Sequence, residues 1–118
     1  MNINIDYATR TPIYEQIVSE VEKLVTLEIL KSNEQIPSIR ELACTLGINP
    51  NTVKKAYDIL ENKGIIISKS TKGTFISNNI SKAKEIKINE LLKQIKLNVK
   101  ELENYGLSLE DVLKILRK

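Results

Sequence analysis

Apolar side chains recur at intervals of three and four residues along the first third of the chain. The main stripe and the residues that widen it are Ile13, Ile17, Val21 and Leu24, with Tyr14, Val18 and Val25. This period predicts an amphipathic helix that is buried on one side. Thr11 is predicted to be the N-cap of this helix, and Pro12 its first helical residue. We expect the helix to end near Leu30 or Lys31, with residues 32–33 turning the chain, because asparagine tolerates the left-handed conformation.

Two shorter helices joined by a tight turn are predicted next. Ser38 opens the first of them as part of a Ser-x-x-Glu capping box, and Gly47 ends it in a left-handed stop. Asn49 caps the second helix, which begins with Pro50 and ends at Gly64. The residues expected to face the core are Ile39, Leu42, Ala43 and Leu46, then Val53, Tyr57 and Leu60. Because the second helix opens with polar and basic side chains, the pair is typical of a DNA-reading helix-turn-helix.

Two runs of β-branched residues follow, at 65–69 and 73–77, and the tripeptide Ser70-Thr71-Lys72 joins them. Their composition and spacing predict a β-hairpin. A helix-turn-helix followed directly by a hairpin is a winged helix. We therefore expect residues 1–79 to form a winged helix-turn-helix DNA-binding domain.

From Ser81 onward the pattern is that of a long charged helix ending at Gly106 and a short helix opened by Ser108 and Asp111. The apolar positions of the long helix are Ile88, Leu91, Leu92, Ile95, Val99 and Leu102. Those of the short helix are Leu109, Val112, Leu113 and Leu116. Two helices are too few elements to cover these faces, and a long uncovered stripe is typical of an interface. We expect residues 80–118 to form a helical dimerisation tail, with packing against the first helix as the alternative. The predicted fold class is mostly α with a small β-hairpin wing.

The amino-acid composition excludes several kinds of catalytic and metal-binding site. With one cysteine and no histidine, the usual zinc sites and the Ser/His and Cys/His nucleophile pairs are excluded. The carboxylates are scattered among lysines, as on solvated surfaces, so we expect no enzyme activity, no metal and no cofactor. Cys44 lies beside the apolar stripe of its helix, and we expect an inert, buried thiol.

The same composition bears on location. No apolar run reaches about 18 residues, the length that a membrane span requires. The amino terminus lacks the basic start, apolar run and small-residue cleavage site of a secretory signal. Cys44 cannot form an intrachain disulfide, which favours a reducing compartment. We therefore expect a cytoplasmic protein with no membrane partner.

Charge is distributed unevenly along the chain. Residues 1–34 carry three basic and six acidic side chains, whereas residues 35–79 carry six basic and three acidic ones. Residues 80–118 carry nine basic and six acidic side chains. A local basic excess that includes the helix-turn-helix is the electrostatic pattern of a phosphate-binding face.

Spaced motifs between residues 12 and 76 resemble the amino-terminal winged-helix domain of the GntR family of bacterial transcription regulators. The motifs are PIYEQI at 12–17, PSIRELA at 37–43, NPNTV at 49–53, AY at 56–57, LE at 60–61 with Gly64, and KGTF at 72–75. The short tail, with GLSLEDV at 106–112, resembles the YtrA-type regulators. This resemblance implies a homodimer joined through the tail helices and a repressor, often one encoded beside an ABC transporter operon.

The third helix is expected to enter the major groove with its amino-terminal end first. The residues assigned to DNA contact are Arg40, Asn49, Asn51, Thr52, Lys54, Lys72 and Gly73. Three alternatives stay open. Asn49 could serve as an N-cap alone, Arg40 could form a surface ion pair with Glu41 or Asp58, and Lys55 could be a solvated neighbour. Lysine at positions 54 and 55 of the recognition helix predicts a less rigid recognition of guanine than arginine would give.

The function predicted from these residues is sequence-specific binding of double-stranded DNA by a transcriptional regulator. We expect a homodimeric repressor on an inverted repeat, with a transporter operon as the target that the resemblance implies. A small-molecule effector is left open. The alternative is a winged-helix module that binds another protein and not DNA, because the wing or the third helix could dock such a partner.

Overall fold

The computed structural model describes residues 1–78 and 80–118. Side chains are described for all of these residues except 80–83. Eight elements follow one another in this part of the chain. They are α1 (Ile13–Thr26), β1 (Gln35–Ile36), α2 (Ile39–Leu46), α3 (Pro50–Asn62), β2 (Ile66–Lys69), β3 (Gly73–Ile76), α4 (Ile80–Glu103) and α5 (Leu109–Leu116). The contacts divide the chain into two compact units, residues 1–83 and residues 84–118.

The first unit encloses one hydrophobic core. Helix α3 packs against both α1 and α2, and the strands close the core from the side of α3. The most deeply buried large side chains come from every layer: Ile17, Val21, Leu42, Val53, Leu60, Ile66 and Ile76. The prediction that Leu42, Ala43, Val53, Tyr57 and Leu60 face the core is confirmed. Mostly helical structure with a small wing is likewise what the sequence predicted.

Both ends of α1 differ from the prediction. Pro12 occupies the N-cap and no side chain caps the helix there, so the predicted Thr11 cap is wrong. The helix ends at Thr26, four residues before Leu30, because Glu28 adopts a left-handed φ of 60°.

The hydrogen bonds that follow α1 form a Schellman motif. The amide of Glu28 donates to the carbonyl of Val25 at 3.1 Å, and the amide of Ile29 donates to that of Leu24 at 2.9 Å. The turn brings Leu30 back into the core, where it is buried. The apolar pattern therefore continues past the end of the helix. Asn33 has the left-handed backbone expected of it, with φ 65°.

The N-caps of α2 and α3 are Ser38 and Asn49, as predicted, and of the predicted Ser38–Glu41 capping box the structure shows the half that the Ser38 side chain makes. The Ser38 hydroxyl accepts a hydrogen bond from the Glu41 amide at 3.1 Å. Gly47 ends α2 with φ 67° and ψ 37°, a left-handed conformation that suits a residue without Cβ. Cys44, on the side of α2 away from Leu42, is exposed, so the predicted buried thiol is wrong. Cys44 lies about 200° past Leu42 around the helix, which turns its side chain away from the core.

The three strands form one antiparallel sheet in the order β1-β3-β2. In the hairpin, Ile66 pairs with Ile76 and Lys69 with Gly73. Strand β1 was not predicted, and it pairs with the other edge of β3, Gln35 opposite Phe75. This third strand joins the wing to the segment that leads into α2.

The second unit contains most of α4 and all of α5. Gly106, at φ 88°, follows the end of α4, and the amide of Leu107 donates to the carbonyl of Leu102 at 3.2 Å. Helix α5 begins at a complete capping box formed by Ser108 and Asp111. Every residue of 84–118 is described, and none is buried. Among the described helices, none is long and apolar enough to cross a membrane.

Candidate nucleic-acid interface

The amino-terminal turn of α3 carries the first group of predicted contact residues. The Asn49 side-chain oxygen accepts a hydrogen bond from the Asn51 amide at 2.8 Å, so Asn49 is an N-cap of this helix. This bond occupies the carboxamide oxygen and leaves the Nδ2 hydrogens to point elsewhere. Asn51 is exposed and Thr52 is half-buried. Short polar side chains at the start of a helix suit contacts with phosphate or base edges.

Lys54 lies one turn further along the same helix and is exposed. Its Nζ is 2.8 Å from the Asp58 carboxylate, four residues on. This hydrogen bond, and then the attraction of the negative charge, raise the pKa of Lys54 above its usual value. The ammonium is therefore charged at neutral pH. Because both partners are exposed, the pair is weak enough for Lys54 to exchange Asp58 for another anion.

Lys55 behaves differently from its neighbour. Its Nζ lies 4.0 Å from the centre of the Tyr14 ring, in a cation–π contact between α3 and α1. This contact directs Lys55 toward the first helix. The sequence left a solvated Lys55 open as an alternative and did not predict the contact with Tyr14.

Arg40 is exposed on the second residue of α2. Asp58, one of the two carboxylates considered as its partner, is paired with Lys54. Within the described part of the chain, Arg40 takes part in no ion pair with Glu41 or any other carboxylate. A guanidinium in this state has its five donors available to a planar or anionic group.

Tyr57 connects α3 to the chain just before α2. Its hydroxyl donates a hydrogen bond to the carbonyl of Pro37 at 2.7 Å. Burial raises the pKa of the Tyr57 phenol, and the charge of Glu41 raises it further. The phenol therefore stays neutral and keeps donating over the physiological pH range. This bond fixes the start of α2 against the middle of α3, in agreement with the predicted core role of Tyr57.

The wing tip carries the last two predicted contact residues. Lys72 is exposed in the turn, and Gly73 has φ 120°, a conformation that L-residues with a Cβ rarely adopt. Gln35 lies against Gly73, and its Nε2 donates to the carbonyl of Lys72 at 3.2 Å. On the body of the wing, Lys69 Nζ lies 4.9 Å from the centre of the Phe75 ring. The space that Gly73 leaves by having no side chain is thus occupied by the Gln35 carboxamide of the same protein.

The first unit therefore exposes basic groups on the three elements that were predicted to meet DNA: Arg40 on α2, Lys54 on α3 and Lys72 in the wing. Sequence patterns did not single out Gln35, because a two-residue strand has no periodicity of its own. Among the described residues, no group of three or more side chains is arranged to hold a metal ion.

The second unit presents the predicted interface residues at its surface. On α4, Ile88, Leu91, Leu92 and Ile95 are exposed, and Val99 and Leu102 are half-buried. On α5, Leu109 and Leu116 are exposed, whereas Val112 and Leu113 are half-buried. The structure adds exposed apolar residues that were not predicted, Leu97, Tyr105 and Ile115.

Comparison with known protein families gives one match over the first unit. The model of the bacterial regulatory proteins of the gntR family matches residues 13–76. This range runs from the start of α1 to the last residue of β3 and includes all seven predicted DNA-contact residues.

Comparison with characterised and solved proteins extends the similarity. The chain is 44% identical over 97 residues to the HTH-type transcriptional repressor YtrA of Bacillus subtilis, covering 79% of this chain and 75% of that protein. The crystal structure of a transcriptional regulator from Oenococcus oeni is 36% identical, covers 96% of this chain and 94% of its own, and superposes with a TM-score of 0.79.

A third relative was crystallised with DNA. The amino-terminal domain of AraR, in complex with a mutant form of the operator ORR3, is 27% identical and has a TM-score of 0.53. It covers 57% of this chain and 96% of its own. The similarity to AraR lies within a shorter stretch than the similarity to the Oenococcus regulator, which extends into the tail.

Proposed function

Because the chain belongs to the GntR family of bacterial regulatory proteins, we propose that this DNA-binding transcription regulator acts as a homodimeric repressor of an inverted-repeat operator. The observation that carries the proposal is the apolar stripe of α4, which is exposed from Ile88 to Ile95 and half-buried at Val99 and Leu102. Such a stripe needs a partner surface. A second copy of the same stripe supplies one, since two-fold dimers join the same patch on both subunits.

DNA binding is assigned to the first unit. In this proposal the amino-terminal end of α3 enters the major groove, where Asn51 and Lys54 meet phosphates or base edges. Arg40 of α2 and Lys72 of the wing contact the flanking backbone or the neighbouring groove. Each of these three basic side chains is exposed. A small number of cationic contacts gives modest, salt-sensitive affinity, and two linked copies raise it by avidity.

A dimer also determines the form of the operator. Two recognition helices related by two-fold symmetry read the same sequence on opposite strands, so the operator is an inverted repeat. Repression is proposed on the similarity to the YtrA repressor. The regulated target is proposed to be a transporter operon, on the resemblance of the tail to that of YtrA-type regulators.

Fluorescence anisotropy of the purified protein tests the function directly. The probe is the DNA upstream of its own gene, the control is a scrambled duplex of the same composition, and both are titrated over a salt series. We expect tighter binding to the upstream DNA that persists at physiological salt. The slope of log K against log salt is negative, and it should become shallower by about 0.9 for each phosphate contact that a variant loses. Equal and salt-sensitive binding to both duplexes would contradict an operator at this locus, and no binding at low salt would favour the protein-binding alternative.

Control by a small molecule is proposed to act through dimer geometry. A change in the angle between the subunits alters the distance between the two recognition helices, and that distance must match the spacing of the half-sites. Solution scattering of the protein with and without a compound that relieves repression is the test. We expect the scattering profile to change, and identical profiles would contradict this form of control.

A further inference from the structure

One short segment contacts two of the three elements that are proposed to meet DNA, the wing and the recognition helix α3. We define the bridging segment as residues 35–37, which include strand β1 and lead into α2. At one end, Gln35 Nε2 donates to the carbonyl of Lys72 in the wing tip at 3.2 Å. At the other end, the carbonyl of Pro37 accepts from the Tyr57 hydroxyl of α3 at 2.7 Å. Two consecutive peptide units therefore separate a contact with the wing from a contact with the recognition helix.

The bridging segment is held firmly between these contacts. Ile36, at its centre, is buried in the core and pairs with Thr74 of β3. The pairing continues on the amino-terminal side, where the amide of Ile76 donates to the carbonyl of Glu34 at 2.8 Å. Tyr57 is buried as well. Because buried hydrogen-bonded groups have little freedom to move, the segment fixes the wing relative to α3.

The contact between Gln35 and the wing tip depends on glycine at position 73. A Cβ added to Gly73 would lie 2.6 Å from Gln35 Nε2, closer than such atoms approach in proteins. The absence of a side chain at Gly73 therefore makes room for the Gln35 carboxamide. Gln35 is itself exposed, so burial of apolar surface does not explain its contact with a residue 37 positions away.

We propose that Gln35 is a positioning residue that holds the wing tip, through the Lys72 carbonyl, at a fixed distance from the recognition helix, so that Lys72 is presented to DNA in register with α3. Gln35 touches the wing and not the DNA. The inference rests on the proposed function, because it takes Lys72 to be a DNA contact.

A double-mutant cycle on the full chain tests this role. Gln35→Met keeps the length of the side chain and removes its donor, and Lys72→Ala removes the ammonium. We expect Gln35→Met to weaken operator binding about fivefold, the effect of one net hydrogen bond. In the Lys72→Ala background the same substitution should change affinity less than about twofold. Equal losses in both backgrounds, or no loss in either, would overturn the proposal.

The matched control is Gln94→Met, which makes the same change at an exposed glutamine of α4 that donates to Asn98. It should leave operator affinity unchanged. Thermal unfolding of Gln35→Met should match that of the wild type, because an exposed side chain is being replaced. A drop in affinity accompanied by a large drop in Tm would assign Gln35 a merely structural role and overturn the proposal.

A second readout requires no DNA. In the wild-type protein the amides of residues 71–73 should show the ¹⁵N heteronuclear NOE values of an ordered loop. These values should fall in Gln35→Met and stay unchanged in Gln94→Met. Unchanged wing-tip values in Gln35→Met would overturn the proposal. Failure of the proposed function is distinguishable, because it would appear as a lack of specific binding by the wild type while the NOE result is unaffected.

Discussion

Helices α1 and α4 have the same kind of amphipathic pattern and different surroundings. In α1, the stripe residues Ile17 and Val21 are completely buried beneath α3 and its neighbours. In α4, Leu91 and Ile95 occupy the same kind of stripe and are more than half exposed. Periodicity therefore predicts a helix and its apolar face, and the number of other elements in the same unit decides whether that face is covered.

The contrast extends to the two units. Residues 1–83 contain a core to which helices and strands all contribute, whereas residues 84–118 contain no buried residue. The exposed cationic groups of α2, α3 and the wing belong to the first unit, and the uncovered apolar stripe belongs to the second. We infer a division of roles, with DNA contact in the first unit and self-association in the second. Four experiments test this comparison.

The largest effect is expected from a substitution in the core of the first unit. Leu60 is 0% exposed, and Leu60→Ala should lower the free energy of unfolding by about 2–5 kcal/mol because it leaves a cavity. Leu97 on α4 is 54% exposed and lies off the predicted interface stripe. Leu97→Ala should therefore change stability by less than about 0.5 kcal/mol. Urea unfolding at one protein concentration measures both, and similar losses would contradict the difference between the units.

The next effect concerns the tail stripe. Leu91→Glu combined with Ile95→Glu should give a monomer, because two carboxylates would be buried in the proposed interface without partners. Operator affinity should fall about 100-fold through the loss of avidity. Light scattering after size exclusion measures the mass, and anisotropy measures the affinity.

A matched control for the tail variant adds the same charge elsewhere on α4. Asn89→Glu with Gln94→Glu places two carboxylates outside the stripe and should leave the mass and affinity unchanged. A Leu91→Glu, Ile95→Glu variant that still elutes as a dimer would contradict the tail interface. Monomers from both pairs of substitutions would assign the effect to charge alone.

A smaller effect is expected from the exposed cations of the first unit. Arg40→Ala and Lys54→Ala should each weaken operator binding by about 1–3 kcal/mol while the fold and the dimer persist. Lys23→Ala, an exposed lysine of α1, is the control and should have no effect on affinity. Unchanged affinity in both Arg40→Ala and Lys54→Ala would exclude this face as the DNA-contact surface.

The smallest effect concerns the start of α5 and depends on pH. The Ser108 amide donates a hydrogen bond to the Asp111 carboxylate at 3.0 Å. This bond is the main reason that the pKa of Asp111 lies below its usual 3.8, and a hydrogen bond with the Ser108 side chain lowers the pKa further. A lowered folded-state pKa stabilises the helix start above the unfolded pKa, and this stabilisation is lost as the pH falls through the folded pKa. Acid should therefore fray the first turn of α5.

Carbon chemical shifts of α5 over an acid titration measure this fraying. Asp111→Asn removes the titrating group, so its helix signal should no longer depend on pH in that range. Glu110→Gln is the control, because Glu110 has no part in the capping box, and its pH dependence should match the wild type. A wild-type signal that stays constant to the lowest pH would contradict the role of Asp111.

Local signals explain which parts of this fold were predictable. The caps at Ser38 and Asn49, the left-handed stop at Gly47 and the β-branched runs of the hairpin each act over a few residues. These predictions are confirmed because the interactions that they describe are local. Five of the seven predicted contact residues are exposed and Thr52 and Gly73 are half-buried, and their contact with DNA stays a prediction.

Interactions between distant parts of the chain explain what was missed. Strand β1 exists because β3 pairs with it, and two residues contain no pattern that shows this. Helix α1 ends early because Glu28, a residue with no special preference for the left-handed region, adopts it while Leu30 packs into the core. Lys55 and Tyr14 lie 41 positions apart in the sequence and on different helices, so no local spacing predicts their contact.

The stoichiometry of the protein–DNA complex shows whether the protein binds its operator as a dimer. Native mass spectrometry of the wild type on its operator duplex counts the chains bound at the first detectable complex. We expect two chains on each duplex at every protein concentration, and free protein that is already dimeric. A complex of one chain per duplex at full affinity would contradict a regulator whose first unit contacts DNA and whose tail joins two copies.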